Sequence, residues 1–248
     1  MTEPLDVLIV TKLESLASDF QNMIADSGIP VNRIIIENSK PLGPARERAI
    51  QKVETKKFVW LDDDVWLPKN WYQSLMEYWD NDNIGWLEGL ALPTTPKWYA
   101  DWTNYSYQKH KHEIKNLKPN ERSFNCCAVV VADALKDWHY PAGEYQGFGS
   151  EDLMMSNHVS QKGYNRLRVP IVAEHRINYG EGNSIWKHIR EGTKSLGSLP
   201  EYHSPSKAFR YAISCFGSGC IASVKQRNMS ILPNATKWAF YWFRDMMF

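Results

Sequence analysis

The chain has no uninterrupted apolar run near the roughly 18 residues that a spanning helix needs, which excludes an integral helical membrane protein. Its first segment has no basic n-region. MTEPLDVLIVTKLES puts acidic residues before a short apolar stretch, so a first core strand and no secretion signal is expected there. Cysteine is scarce and spaced wrongly for zinc, with Cys126 and Cys127 adjacent and Cys215 and Cys220 far downstream; a reduced, cytoplasmic setting fits best. Charge of one sign is missing too: 29 basic against 28 acidic residues leave a formal +1, so no global field draws the protein to nucleic acid or anionic lipid. Internal repeats and low-complexity tracts are absent. With 43% apolar and 23% charged residues over 248 positions, one large globular domain, with or without a short appendage, is expected.

What the chain has in excess is aromatic. Eleven Trp, twelve Tyr and nine Phe exceed what a core requires, and such rings serve as platforms for sugars or bases or as anchors at a membrane interface. Composition does not choose among these.

Hydrophobic patterning predicts alternating strands and helices. DVLIVT (6–11), NRIIIEN (32–38), KFVWL (57–61), IGWLEGLAL (84–92), FNCCAVVVA (124–132) and LRVPIVAE (167–174) read as strands. Helical spacing is expected over 13–27, 45–53, 68–79 and 151–162, the last closing at Gly163. Residues 93–122 show little regular periodicity and read as an excursion over the site or as weakly ordered chain. From about Ser204 the character turns to basic, aromatic helices. Such alternation implies βαβ units and a mainly parallel sheet, whose ligands collect at the carboxyl ends of the strands.

Three constellations could carry chemistry, two of them at such ends. The strand 57–61 runs into Asp62, Asp63 and Asp64, a placement that is costly unless water or a cation compensates. Alternation along an extended chain would let Asp62 and Asp64 share a side while Asp63 points away. Hard oxygen ligands suit Mn2+ or Mg2+ completed by phosphates and water, and a solvated acidic turn capping the next helix is the competing reading. Gly147 to Asp152 enters a helix, where Glu151 and Asp152 in the first turn favour the dipole or, beside a cleft, offer a general base. His175 ends the last strand, as a packed residue or a ligand.

Order and spacing of these elements resemble glycosyltransferase family 2 and its GT-A relatives over residues 6–178. The resemblance rests on Leu42-Gly43-Pro44-Ala45-Arg46, on Phe58 to Asp64 with Pro68 and Trp71 following, on Gly147 to Asp152, and on Gln161-Lys162-Gly163-Tyr164 closing the helix. It implies a GT-A, Rossmann-like sheet flanked by helices at 1–204, followed by a C-terminal aromatic helical extension at 205–248. It further implies a D-x-D motif binding Mn2+ or Mg2+ through Asp62, Asp64 and His175, with Asp152 as general base and Glu151 orienting a substrate. Glu37, Asn38, Arg46, Asp62 and Asp63 would then face a nucleoside-diphosphate sugar donor. Transfer, most simply with inversion, would go to a hydroxyl of a glycan, a lipid-linked molecule or a protein. Where the family commonly has Asn after the helix Arg, Glu47 stands here, which bears on the role carried over for Arg46.

Further expectations concern the flanks. Trp138, Tyr145 and Phe148 would stack on an acceptor sugar or pack beneath the loop, and Trp186 to Arg190, between Gly180, Gly182 and Gly192, would belong to a lid. Lys109 to Lys118 reads as a solvated charge run or a contact for a phosphate-bearing acceptor. The rings of the tail, 236–248, surround their helix, so they must be buried in the protein, in a partner or at a lipid interface, the last giving a peripheral membrane contact. Other classes compatible with the carboxylates are glycosylation of a modified nucleic-acid base, a nucleotidyltransferase, and a non-catalytic module that binds a sugar nucleotide.

Overall fold

The computed structural model describes residues 3–119, 121, 123, 126–140, 150–176, 185–186, 189–190, 193 and 204–247. Backbone proximity divides the chain into two units. The first holds an eight-stranded sheet with strands β1 (Leu5–Val10), β2 (Val31–Glu37), β3 (Lys57–Leu61), β4 (Val65–Trp66), β5 (Ile84–Pro93), β6 (Lys115–Asn116), β7 (Cys127–Val131) and β8 (Asn165–His175). Their order is β2-β1-β3-β7-β5-β8-β4, with β6 on β8. Strands β1, β2 and β3 are mutually parallel, while β7 lies antiparallel to both β3 and β5, so β5 runs in the direction of β3.

Period-two alternation sorts the strand residues onto two faces. Val7, Ile9, Val59, Leu61, Leu87 and Val129 meet α1 (Ser18–Asp26) and α3 (Trp71–Met76) through Phe20, Ile24, Trp71 and Leu75. Leu8, Phe58, Trp60, Trp86, Ala128 and Val130 instead meet α2 (Leu42–Gln51) and α5 (Ser150–Gln161) through Ala49, Ile50, Met155 and Val159. Helices thus cover both faces of a mixed sheet, the arrangement expected of a GT-A domain.

Several element bounds depart from the sequence expectation for local reasons. Helix α2 begins at Leu42 and not at residue 45, because Pro44 stands in the first turn, where amide hydrogens have no helical acceptor anyway. Helix α3 begins only at Trp71, since Asn70 is left-handed with φ 57°. The segment expected to be irregular contains α4 (Lys97–Ser106), which buries Ala100 and Trp102.

The second unit pairs α4 with α6 (Pro205–Lys225) and α7 (Ile231–Met247), the helical extension expected from residue 205. Ser204 caps α6 by accepting from the Lys207 amide at 3.4 Å. Gly219 lets α7 approach so closely that any Cβ there would overlap that of Ala235. The tail rings are used inside this unit: Trp238 meets Trp102 edge-on at 5.0 Å, Trp242 stacks on Tyr211 at 5.2 Å, and Tyr241 contacts Trp186 at 5.9 Å. Among the described residues, no helix is long and apolar enough to cross a membrane.

Candidate functional site

Strand β3 ends where its partner β7 begins: the Asp62 amide donates to the Cys126 carbonyl at 3.0 Å, and the Val65 amide returns to the Asp62 carbonyl at 3.2 Å. This tight turn places Asp62, Asp63 and Asp64 at the carboxyl edge of the parallel strands, where α/β sheets gather their ligands. The three side chains then separate. Asp63 accepts a hydrogen bond from the Thr11 hydroxyl at the end of β1. Asp64 lies 3.2 Å from His175 Nε2, and its carbonyl accepts from the Arg176 amide at 2.7 Å. That second contact continues the β4–β8 pairing, which sets Val65 opposite His175.

Asp62 has the least comfortable position. Burial pushes its carboxyl up, Arg46 pulls it down, and Asp64 and Asp152 push it up again, for a result of about 7. Burial also raises Asp63, against the Thr11 hydrogen bond. Burial would lower His175, but the Asp64 hydrogen bond and the charges of Asp64 and Asp62 outweigh it and favour the imidazolium.

Arg46, buried on α2, is the cation of this region. Its Nη1 stands 3.0 Å from Glu151 Oε1 and also donates to Asp152, while its guanidinium lies 5.6 Å from the Trp60 ring centre. Glu151 and Asp152 open α5, as expected, and both are buried. Burial alone would lower Arg46, yet the charges of Asp152, Glu151 and Asp62 raise it. One guanidinium therefore answers three carboxylates, with Asp64 adding a fourth next to His175. The unexpected Glu47 faces elsewhere: it accepts from the Tyr140 amide at 3.0 Å and pairs with His139 at 2.7 Å, pinning the chain after β7.

Other expected positions divide. Glu37 at the end of β2 is already engaged by Lys52 at 2.6 Å and by Ser39, whereas Asn38 beside it is exposed. Trp138 packs in the core next to Tyr140, so it answers to packing and not to stacking on a sugar. Asn125, Tyr145, Gly147, Phe148, Gly149, Gly180, Gly182, Lys187, His188 and Gly192 lie outside the described residues. The sequence reading missed Thr11, although its place at the end of the first parallel strand was a usable signal. It also missed the bonds from Arg46 to α5, for which residues 105 and 106 positions apart carry no local sign.

Whether a divalent cation suits these groups can be judged from charge and donor type. Among the described residues, no three His, Cys, Asp or Glu side chains gather closely enough to form a protein-only cage. Asp64 and His175 do form an oxygen–nitrogen pair, and Asp62 is a half-buried carboxyl whose ionisation burial, Asp64 and Asp152 disfavour more than Arg46 favours it. That set fits a hard cation whose remaining ligands are phosphate and water.

Residues 12–134 match the family described as Glycosyl transferase family 2. No curated protein matches the sequence. Among solved structures, the chain is similar to a mannosyltransferase from Pyrobaculum calidifontis in complex with GDP-Man and Mn2+, with 11% identity, 94% of this chain and 73% of that one covered, and a TM-score of 0.53. It is also similar to a glucosyl-3-phosphoglycerate synthase from Mycobacterium tuberculosis in complex with Mg2+ and uridine diphosphate, with 12% identity, 80% and 78% covered, and a TM-score of 0.49.

Proposed function

We propose that the chain, whose residues 12–134 match the glycosyl transferase family 2 model and whose sheet has the GT-A arrangement, is a family 2-like glycosyltransferase that moves a sugar from a nucleoside-diphosphate donor to an acceptor hydroxyl with inversion, using Mn2+ or Mg2+. The observation that carries this reading is the concentration of Asp62, Asp64, Glu151 and Asp152 around one buried Arg46 and one His175. A module that only kept the fold would have no need of such unbalanced charge. The similar mannosyltransferase, solved with GDP-Man and Mn2+, supports a nucleotide-sugar donor and a divalent cation.

Asp62, Asp64 and His175 are the residues that would hold the cation, which when bound supplies positive charge against that developing on the departing diphosphate. Asp152 is the general base: it takes the proton of the acceptor hydroxyl as that oxygen bonds to the anomeric carbon, while the glycosidic bonding pair leaves with the diphosphate. Arg46 donates to Asp152 and fixes the direction of its carboxylate. Glu151, buried at 1% exposure, shapes the site through the same guanidinium. Asn38, exposed at the end of β2 beside the Lys52-held Glu37, would face the donor base or ribose, and Asp63, held by Thr11, steadies the turn after β3.

Release of nucleoside diphosphate from a panel of UDP- and GDP-sugars, with CMP-sugars for contrast, tests this reading. Turnover that needs Mn2+ or Mg2+ and is lost in Asp64→Ala and Asp152→Asn is expected. Absence of donor binding in the wild type, or wild-type behaviour of both variants, would overturn it.

A further inference from the structure

Helix α5 buries Leu153, Met155 and Val159, the last two against the sheet, yet one stripe along it is polar. Asp152, Ser156 and Ser160 recur every four residues, so they stack on one side of the helix. Ser156, wholly buried, donates its hydroxyl to the Asp152 carbonyl at 2.6 Å and accepts from the Ser123 amide at 3.0 Å. The Ser160 hydroxyl accepts from Arg166 Nε at 2.9 Å.

Arg166, on β8, joins the two ends of this stripe. Its Nη1 donates to the Ser123 hydroxyl at 3.0 Å and to the Glu121 carbonyl at 2.7 Å, and its Nη2 donates to the Lys118 carbonyl at 2.7 Å. A connected path results, from Arg166 to Ser123, from the Ser123 amide to Ser156, and from the Ser156 hydroxyl to the main chain of Asp152. The guanidinium is fully buried, and burial disfavours its charge more than Glu88 and Glu121 favour it. An apolar side chain of similar volume would hold strand to helix at less cost. What the guanidinium adds is geometry, the fixed directions of its N–H groups.

We propose that Arg166 is a positioning residue for transfer, fixing the main chain of Asp152 through Ser123 and Ser156. Arg46 orients the carboxylate of the same residue from α2, so Asp152 is held at both ends. This role rests on Asp152 being the general base. A displacement of about 1 Å costs about a hundredfold in rate, so a looser first turn of α5 should cost turnover more than donor binding.

Steady-state release of nucleoside diphosphate from the UDP- and GDP-sugars with Mn2+, measured beside urea midpoints, tests the role. Ser156→Ala, the milder change, is expected to lower kcat about tenfold with the donor KM within about twofold of the wild type. Arg166→Met should do at least as much, and the double variant should be no slower than Arg166→Met alone, because both act on one path. Lower urea midpoints with an unchanged kcat in the folded variants would mean cohesion without positioning and overturn the proposal. Losses that multiply in the double variant would overturn it as well. Full turnover in Asp152→Asn overturns base and positioning residue together, whereas an inactive Asp152→Asn beside a fully active Ser156→Ala overturns only the latter.

Discussion

Arg46 Nη1 lies 3.0 Å from Glu151 Oε1 and also bonds Asp152, so one side chain of α2 holds both acids at the start of α5 across more than a hundred positions of sequence. All three groups are buried, and the network abuts Asp62. Removing the guanidinium would take a charged partner from two buried carboxylates, and breaking a buried pair costs about 3–5 kcal/mol. Arg46→Ala should therefore lower the urea midpoint sharply and abolish transfer. Arg46→Lys keeps the charge but loses the planar fork, so it should recover much of the stability and little of the turnover. Equal recovery of both by lysine would show that charge alone matters there.

Strand β3 and its three aspartates were legible because an apolar run ending in charge is a local signal, and the observed strand matches the expected 57–61. Pairing of Asp64 with His175 was legible only as a shared position at strand ends. The Arg46 network was not legible at all, since nothing near residue 46 announces residues 151 and 152. Helix α4 was missed for another reason: its apolar positions are Trp and Tyr, whose spacing at 98, 102 and 105 is helical but diluted by Asp101, Thr103 and Asn104. Its partners lie in α6 and α7, so tertiary burial decides its state more than propensity does.

Acid stability should depend on Glu37. Burial would raise its carboxyl, but Lys52 at 2.6 Å and the Ser39 hydroxyl hold it at about 2, below the ordinary 4.5. The folded value is the lower one, so the unfolded chain takes up the proton first as pH falls. The stabilisation is complete above the unfolded value and drains away as pH drops from there toward about 2. Urea midpoints measured across that interval should fall, and Glu37→Gln should make the fall shallower by removing one titrating group. An unchanged slope would place the acid sensitivity elsewhere, for instance at Asp6, which Asn32 and the Glu54 amide hold down against its burial.

Close packing in the second unit depends on Gly219. A methyl group there would overlap Ala235 Cβ, so α6 and α7 would have to separate along the contact that buries Trp102 against Trp238. Gly219→Val should cost about 1–3 kcal/mol by overpacking. Gly217, which has open space at its Cβ position, is the control: Gly217→Ala should stabilise by up to about 1 kcal/mol through helix propensity alone. Thermal melts that rank the two substitutions the other way would refute the tight helix contact.

Asp62 offers the sharpest contrast between stability and function. Its carboxyl rises to about 7 because burial, Asp64 and Asp152 together outweigh Arg46. A side chain whose charged form is disfavoured in the fold is one whose neutral replacement should be tolerated or better. Asp62→Asn is accordingly expected to raise the melting temperature of the metal-free protein, by roughly 1 kcal/mol of stability. The same substitution should remove the upward shift in melting temperature that Mn2+ gives the wild type, because ligand binding stabilises only where the site binds. Differential scanning fluorimetry with and without Mn2+ reads both effects. A destabilised Asp62→Asn that still responds to Mn2+ would mean that Asp62 is held by Arg46 as a structural anion, and that the cation rests on Asp64 and His175 alone.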